Sequence, residues 1–209
     1  MDGLVTNVSL IAGVGGGGGS QHAIVLTGLA GLAAGAFSMA AGEYVSVSSQ
    51  NELIHAEVAK ERHELTYNAA AEQAELAGML RRRGVSAATA KQAAAEISAQ
   101  PDKALAVHAL EELGVNPSEL PSPVVAAGAS LTAFAVGAIV PLLPYALGFD
   151  SLGVALGLSA LAAIIGGGMV ARLTNRPFWR GAVRQLILGS FAAGVTYLIG
   201  LAVGGMAAT

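Results

Sequence analysis

Unbroken apolar stretches alternate along this chain with short polar connections and one long polar insert. Ala23 to Gly42 carries no charged residue, nor do Pro123 to Phe149 and Ser151 to Ala171, and a last run extends from Gln185 to Thr209. Each approaches or exceeds the roughly 20 residues with which a helix crosses a bilayer core. A shorter apolar stretch, Asp2 to Val14, precedes them and is too short to cross alone. The glycines from Gly15 to Gly19 behind it read as a loop or a frayed helix end. The pattern predicts an all-α, five-helix transmembrane protein whose first helix is incomplete. Membrane helices 1 and 2 fall in residues 1–49, a polar helical insert in 50–122, and membrane helices 3 to 5 in 123–209.

The insert has helical composition and punctuation. Asn51 to Arg83 is rich in Ala, Glu and Leu, with no proline and no glycine before Gly78, which predicts one long helix ended by Gly84. Ser86 is positioned to cap a second helix through about Ala99, and Pro101 to open a third that ends at Gly114. Pro117, Pro121 and Pro123 mark the return to apolar sequence, and Pro141 and Pro144 should kink or end the third span.

Charge orients this arrangement. Of the 11 Lys and Arg, Lys60, Arg62, Arg81, Arg82, Arg83, Lys91 and Lys103 lie in the insert; Arg172, Arg176, Arg180 and Arg184 lie between the last two spans. Basic residues therefore occupy alternate connections. The positive-inside rule puts both in the cytoplasm, with the N-terminus inside and the C-terminus outside. Only 12% of the 209 residues are charged, about half of what a soluble domain carries. The 28 glycines suit close helix packing in a membrane, and Gly31/Gly35 and Gly153/Gly157 have the small-xxx-small spacing of helix contacts. The absence of cysteine excludes disulfides and thiol chemistry. Asp2 at the start, without a basic flank, argues against a signal peptide.

The residues with chemical potential are mostly acidic. On a single straight helix, Glu57, Glu61, Glu64, Glu72 and Glu75 would share an arc of roughly 80°, a carboxylate stripe suited to divalent cations. A solvated helix face is the alternative reading. His108 lies three and four residues before Glu111 and Glu112, within reach of either on one face. His55 and His63 fall off the stripe and read as surface residues. Glu43 closes an uncharged span, a costly place for a carboxylate unless it has a function. Met39 stands one turn before it, so a thioether and a carboxylate share a face, a pair suited to a transition metal. Asp2 is the one charge of the first apolar stretch. No catalytic grouping is visible, and Gly13 to Gly19 lacks the Lys and Ser/Thr of a phosphate-binding loop, so no enzyme is expected.

The run from Ala34 to Gln50 (AGAFSMAAGEYVSVSSQ) resembles the signature of the vacuolar iron transporter family. Asp2-Gly3-Leu4-Val5 resembles that family's first-helix motif. Glu72-x-x-Glu75-Leu76 with Arg83-Gly84-Val85 resembles its metal-binding helices, and Pro141-Leu142-Leu143-Pro144-Tyr145 and Arg184-Gln185-Leu186 also fit. The resemblance covers essentially the whole chain and points to a bacterial-type member. It implies a homodimer of five-helix protomers, with a pore at the interface, that exports Fe(II) and often Mn(II) from the cytosol in exchange for protons. It maps the pore aspartate onto Asp2 and the pore methionine onto Met39. The metal-binding glutamates map onto Glu61, Glu64, Glu72, Glu75 and Glu112. Where the family has methionines near the end of the third insert helix, this chain has His108 and Ala109. Family members also have more first helix ahead of the Asp-Gly motif, so a truncated N-terminus is expected.

The expected metal-site residues are thus Asp2, Met39, Glu43, Glu61, Glu64, Glu72, Glu75, His108 and Glu112, with Fe(II) or Mn(II) as cargo and no resident cofactor. Glu43 is the expected proton-coupling carboxylate. Metal ions, protons, membrane lipid and a second copy of the chain are the expected partners, and nucleic acid is not. The expected location is the cell membrane, with the insert in the cytoplasm. A membrane-anchored metal buffer or sensor without transport is the alternative function.

Overall fold

The computed structural model describes residues 1–207; Ala208 and Thr209, the end of the run predicted from Gln185, lie outside the described residues. Every regular element among the described residues is a helix, and there is no strand. The elements are α1 (Asp2–Gly16), α2 (Gln21–Tyr67), α3 (Ala69–Arg82), α4 (Ala87–Ser98), α5 (Pro101–Glu112) and α6 (Pro123–Ile139). A 3₁₀ turn (Val140–Leu142), α7 (Leu143–Ala146), α8 (Leu152–Leu173) and α9 (Phe178–Ala207) follow. Among the described residues, four segments are long and apolar enough to cross a membrane: Gln21–Tyr67, Pro123–Ala146, Leu152–Leu173 and Phe178–Met206. At 15 residues, α1 is about 22 Å long, short of a bilayer core.

Two compact units divide the chain, one formed by Met1–Glu43 with the residues from Ala126 onward, the other by Tyr44–Val125. In the first unit α1 packs against α8 and α9. The contact is made by backbone. A Cβ at Gly200 would overlap the carbonyl oxygen of Gly13, and one at Gly204 would press on Gly17. α1 is helical through Gly16, and Gly17 to Gly19 form the loop expected of the glycine run; where α1 and α9 meet, missing side chains let two helix backbones touch. Close backbone contacts fall at Gly13/Gly200, Gly17/Gly204 and Gly167/Gly181, and also where Gly3 meets the carbonyl of Phe134 and Gly16 that of Tyr197. Gly31 and Gly35 meet side chains of the same chain, Leu10 and Phe134, and Gly157 meets nothing within 4 Å.

Pro141 breaks the third span as expected. Its missing N–H cannot continue the helical ladder, and a 3₁₀ turn replaces it at Val140–Leu142. Asn7 Nδ2 donates to the carbonyl of Ala138 just ahead of the break, satisfying part of the disturbed backbone. Ile11, Ile24, Leu142, Tyr145 and Ala155 form the adjoining core. The outward faces stay apolar, with Phe37, Val136 and Phe191 all exposed, as helices that face lipid require.

The second unit corrects one expectation. Asn51 to Arg83 is not one helix: α2 ends at Tyr67 and α3 starts at Ala69. Asn68 adopts φ −124°, ψ 29°, outside the helical well. Its carbonyl accepts from the N–H groups of Ala71 and Glu72, and its side chain donates to the carboxylate of Glu64. Asparagine competes for backbone hydrogen bonds in this way and so favours helix ends. Downstream the expected punctuation holds. Gly84 and Gly114 take positive φ, Ser86 Oγ accepts from Thr89 N at 3.3 Å, and Pro101 sits in the first turn of α5. Leu76 and Met79 of α3, Ala90 and Ala94 of α4, and Ala104, Leu105 and Ala109 of α5 are the buried apolar residues of this unit's short helices.

Candidate metal centre

The break at Asn68 decides the geometry of the acidic residues. It places Glu61 on α2 and Glu72 on α3, so the stripe expected of one straight helix does not exist as such. α5 supplies the remaining groups: His108 and Glu112, one turn apart, with the imidazole fully buried. His108 Nδ1 lies 2.9 Å from Glu61 Oε1, 3.4 Å from Glu112 Oε1 and 3.7 Å from Glu72 Oε2. One ligand atom from each of these four residues falls within 4.8 Å of the others.

Three carboxylates converging on one imidazole is electrostatically expensive without a cation. Burial pushes the Glu61 carboxyl above its ordinary value. Repulsion from Glu112, and to a lesser degree from Glu72 and Glu75, adds to it, while His108 acts in the opposite direction. Burial likewise raises Glu72, followed by repulsion from Glu75, with smaller contributions from Glu112 and Glu64 and with His108 again opposing. His108 Nε2, the ring nitrogen turned away from the carboxylates, is buried without a hydrogen-bond partner, an arrangement that costs stability unless something binds. One imidazole nitrogen with three carboxylates is a mixed N/O donor set that suits first-row divalent ions such as Fe(II) and Mn(II).

The other expected site residues are distributed differently. Glu75 is exposed and lines a neighbouring cleft of about 440 Å³ with Glu112, Glu111, Met79, Arg82 and Arg83. Glu64 is held by Asn68. Neither belongs to the four-residue cluster. Glu111, the other candidate partner for His108, instead pairs with Arg83 at 3.0 Å, which leaves Glu112 as the α5 carboxylate at the imidazole. His63 is exposed and stacks on Tyr67, ring centroids 4.4 Å apart. In the membrane unit Asp2, Met39 and Glu43 are exposed and are not part of the cluster.

Sequence reasoning missed two residues. Asn68 makes the break, and its signal was a poor helix former inside a run of good ones. Asn7 is fully buried among apolar helices; its signal was an amide side chain within an apolar stretch.

Comparison with known proteins places the chain. The sequence model of the VIT family matches residues 1–201. The chain belongs to the VIT family. This VIT-family chain is 36% identical over 186 residues to a vacuolar iron transporter of Acanthamoeba castellanii, covering 87% of this chain and 70% of that protein. It is 34% identical over 208 residues to vacuolar iron transporter homolog 1 of Oryza sativa subsp. japonica, covering 94% and 67%. With vacuolar iron transporter homolog 1 of Arabidopsis thaliana it shares 33% over 199 residues, covering 94% and 75%. The first of these relatives is named a vacuolar iron transporter and the other two homologs of one; this VIT-family member is an integral membrane protein and not an enzyme.

Proposed function

We propose that this chain moves a divalent transition metal ion, Fe(II) or Mn(II), out of the cytosol across the cell membrane in exchange for protons. The observation that carries this reading is the convergence of Glu61, Glu72, His108 and Glu112, in a family whose relatives are named for iron transport. The polar unit is read as cytoplasmic, because its basic residues and those of the α8–α9 connection occupy alternate connections. There the cluster captures metal from the cytosol, with Glu64 and Glu75 as outer carboxylates that draw cations in. Its raised carboxyls release protons as metal binds.

Passage through the membrane falls to Met39, Glu43 and Asp2. Met39 and Glu43 share a face of α2 one turn apart. A thioether and a carboxylate there replace part of the hydration shell of a borderline ion, and Glu43 exchanges metal for a proton. Asp2 serves further along the path. Their exposure in the single chain supports a pore between two copies, with α1 as the fifth membrane helix of each protomer.

The test is uptake of Fe(II), Mn(II), Co(II) and Zn(II) into proteoliposomes, with a pH gradient present or absent. Gradient-dependent uptake of Fe(II) or Mn(II) is expected. Metal binding without uptake would make the protein a membrane-anchored buffer instead.

A further inference from the structure

The end of the membrane unit has an unusual charge balance. From Ser151 onward there is no Asp or Glu, yet Arg172, Arg176, Arg180 and Arg184 recur at every fourth position around the α8–α9 connection. Arg176, Arg180 and Arg184 line one cleft of about 340 Å³ with Ala171, Thr174 and Gly181. None of the three has an acidic partner among the described residues. Arg180 and Arg184 are one turn apart on α9, where like charges repel, and α9 begins at Phe178, whose helix end adds further positive potential.

The cleft is held by close packing. A Cβ at Gly181 would overlap the Gly167 carbonyl, and the ring of Phe178 covers Gly168, so α8 and α9 touch directly beneath the arginines. Its surroundings are those of a membrane boundary. Trp179 is 61% exposed and Leu173 83% exposed, and the Arg180 guanidinium lies 5.4 Å from the centre of the Trp179 ring. Tryptophan is enriched at the headgroup level, and the planar guanidinium fork matches phosphate oxygens.

We propose that this cleft binds the phosphate of an anionic phospholipid headgroup. A soluble phosphate would meet the same arginines, but the exposed Trp179 and Leu173 beside the cleft favour a phosphate that carries acyl chains. Basic clefts between membrane helices recognise anionic lipid in this way. The arginines then do more than orient the chain in the bilayer, a job that needs charge but no cleft.

The experiment uses the full chain in mild detergent, with phosphatidylglycerol, phosphatidylcholine and inorganic phosphate as probes. Retained lipid is counted by native mass spectrometry and affinity is measured by titration. The triple variant R176Q/R180Q/R184Q is compared with R81Q/R82Q/K91Q, which removes the same charge elsewhere. Phosphatidylglycerol should bind in preference to phosphatidylcholine. Its affinity should fall about a hundredfold in the first variant, given the contribution of each basic residue near an anionic headgroup, and stay unchanged in the second. Equal loss in both variants would reduce the effect to net charge and overturn the proposal, as would equal binding of the two lipids. Displacement by inorganic phosphate at matched concentration would make this a soluble-anion site and overturn the lipid assignment. Should the first variant fail to fold, the wild-type chain still decides. Phosphatidylglycerol should raise its unfolding temperature at low salt and lose that effect at high salt, and a salt-independent rise would overturn the phosphate contact.

Discussion

His108 on α5 and Glu61 on α2 meet at 2.9 Å, Nδ1 to Oε1, with the imidazole wholly buried. This contact makes histidine the centre of the cluster rather than an accessory to it. His108→Ala and Glu61→Gln should therefore each weaken Mn(II) binding by the full chain at least as much as loss of an outer-sphere partner does, roughly 10–100-fold. Glu64→Gln, whose carboxylate is held by Asn68, should change it much less. Calorimetry on the purified protein reads all three, and equal effects at positions 61 and 64 would return the acids to a solvated face.

The same cluster sets a pH dependence. Both Glu61 and Glu72 are raised above the ordinary carboxylate value of 4.5. For a group raised on folding, the stabilising contribution is fully present below that ordinary value and is lost as pH rises through the raised one. Metal needs the ionised forms, so its affinity moves the other way and grows across the same window. The rise in unfolding temperature that Mn(II) produces should accordingly shrink on acidification through the region above 4.5. A Mn(II) effect that stays constant across this region would disconnect the two carboxyls from binding.

Backbone contact between α1 and α9 makes a stability prediction. Gly200→Ala forces a methyl into the Gly13 carbonyl and should destabilise the membrane unit by about 1–3 kcal/mol, as overpacking does. Gly194→Ala, where a Cβ meets nothing within 4 Å, is the matched control and should be near neutral. Thermal unfolding in detergent compares them.

Topology is open to cysteine labelling, because the chain has no cysteine of its own. Ala88→Cys in α4 and Asn175→Cys in the α8–α9 connection are both at exposed positions. Both should react with an impermeant reagent from the cytoplasmic side, and reaction from opposite sides would break the proposed arrangement.

The transport path is tested at Glu43 and Met39. Glu43→Gln keeps size and removes charge, so it should abolish proton-coupled uptake while metal binding by the cluster persists. Met39→Leu should fold normally and lose rate or selectivity. Wild-type uptake with wild-type pH dependence in Glu43→Gln vesicles would make Glu43 an interfacial carboxylate and move the path elsewhere.

Much of this architecture follows from local chemistry. The apolar runs, Ser86 as a cap, Gly84 and Gly114 as stops, and Pro141 as a break all depend on bilayer thickness or on one residue's backbone preference, and so they are legible in order along the chain. The cluster of carboxylates around His108 is not of that kind. A helical wheel assumes a straight axis, and Asn68 ends that axis between Glu64 and Glu72; only the turn there sends Glu72 to His108 and leaves Glu64 with Asn68. Sequence spacing offered His108 both Glu111 and Glu112, and Arg83 decided between them by taking Glu111. The glycine run after Val14 reads locally as a loop, and Gly17 to Gly19 do form one, yet Gly17 also lies against Gly204, where missing side chains let two backbones touch. The sequence by itself determined which segments are helical and apolar, because those properties are set by neighbours along the chain. Which carboxylates share one imidazole was decided only by the tertiary structure, because that depends on helices brought together by packing.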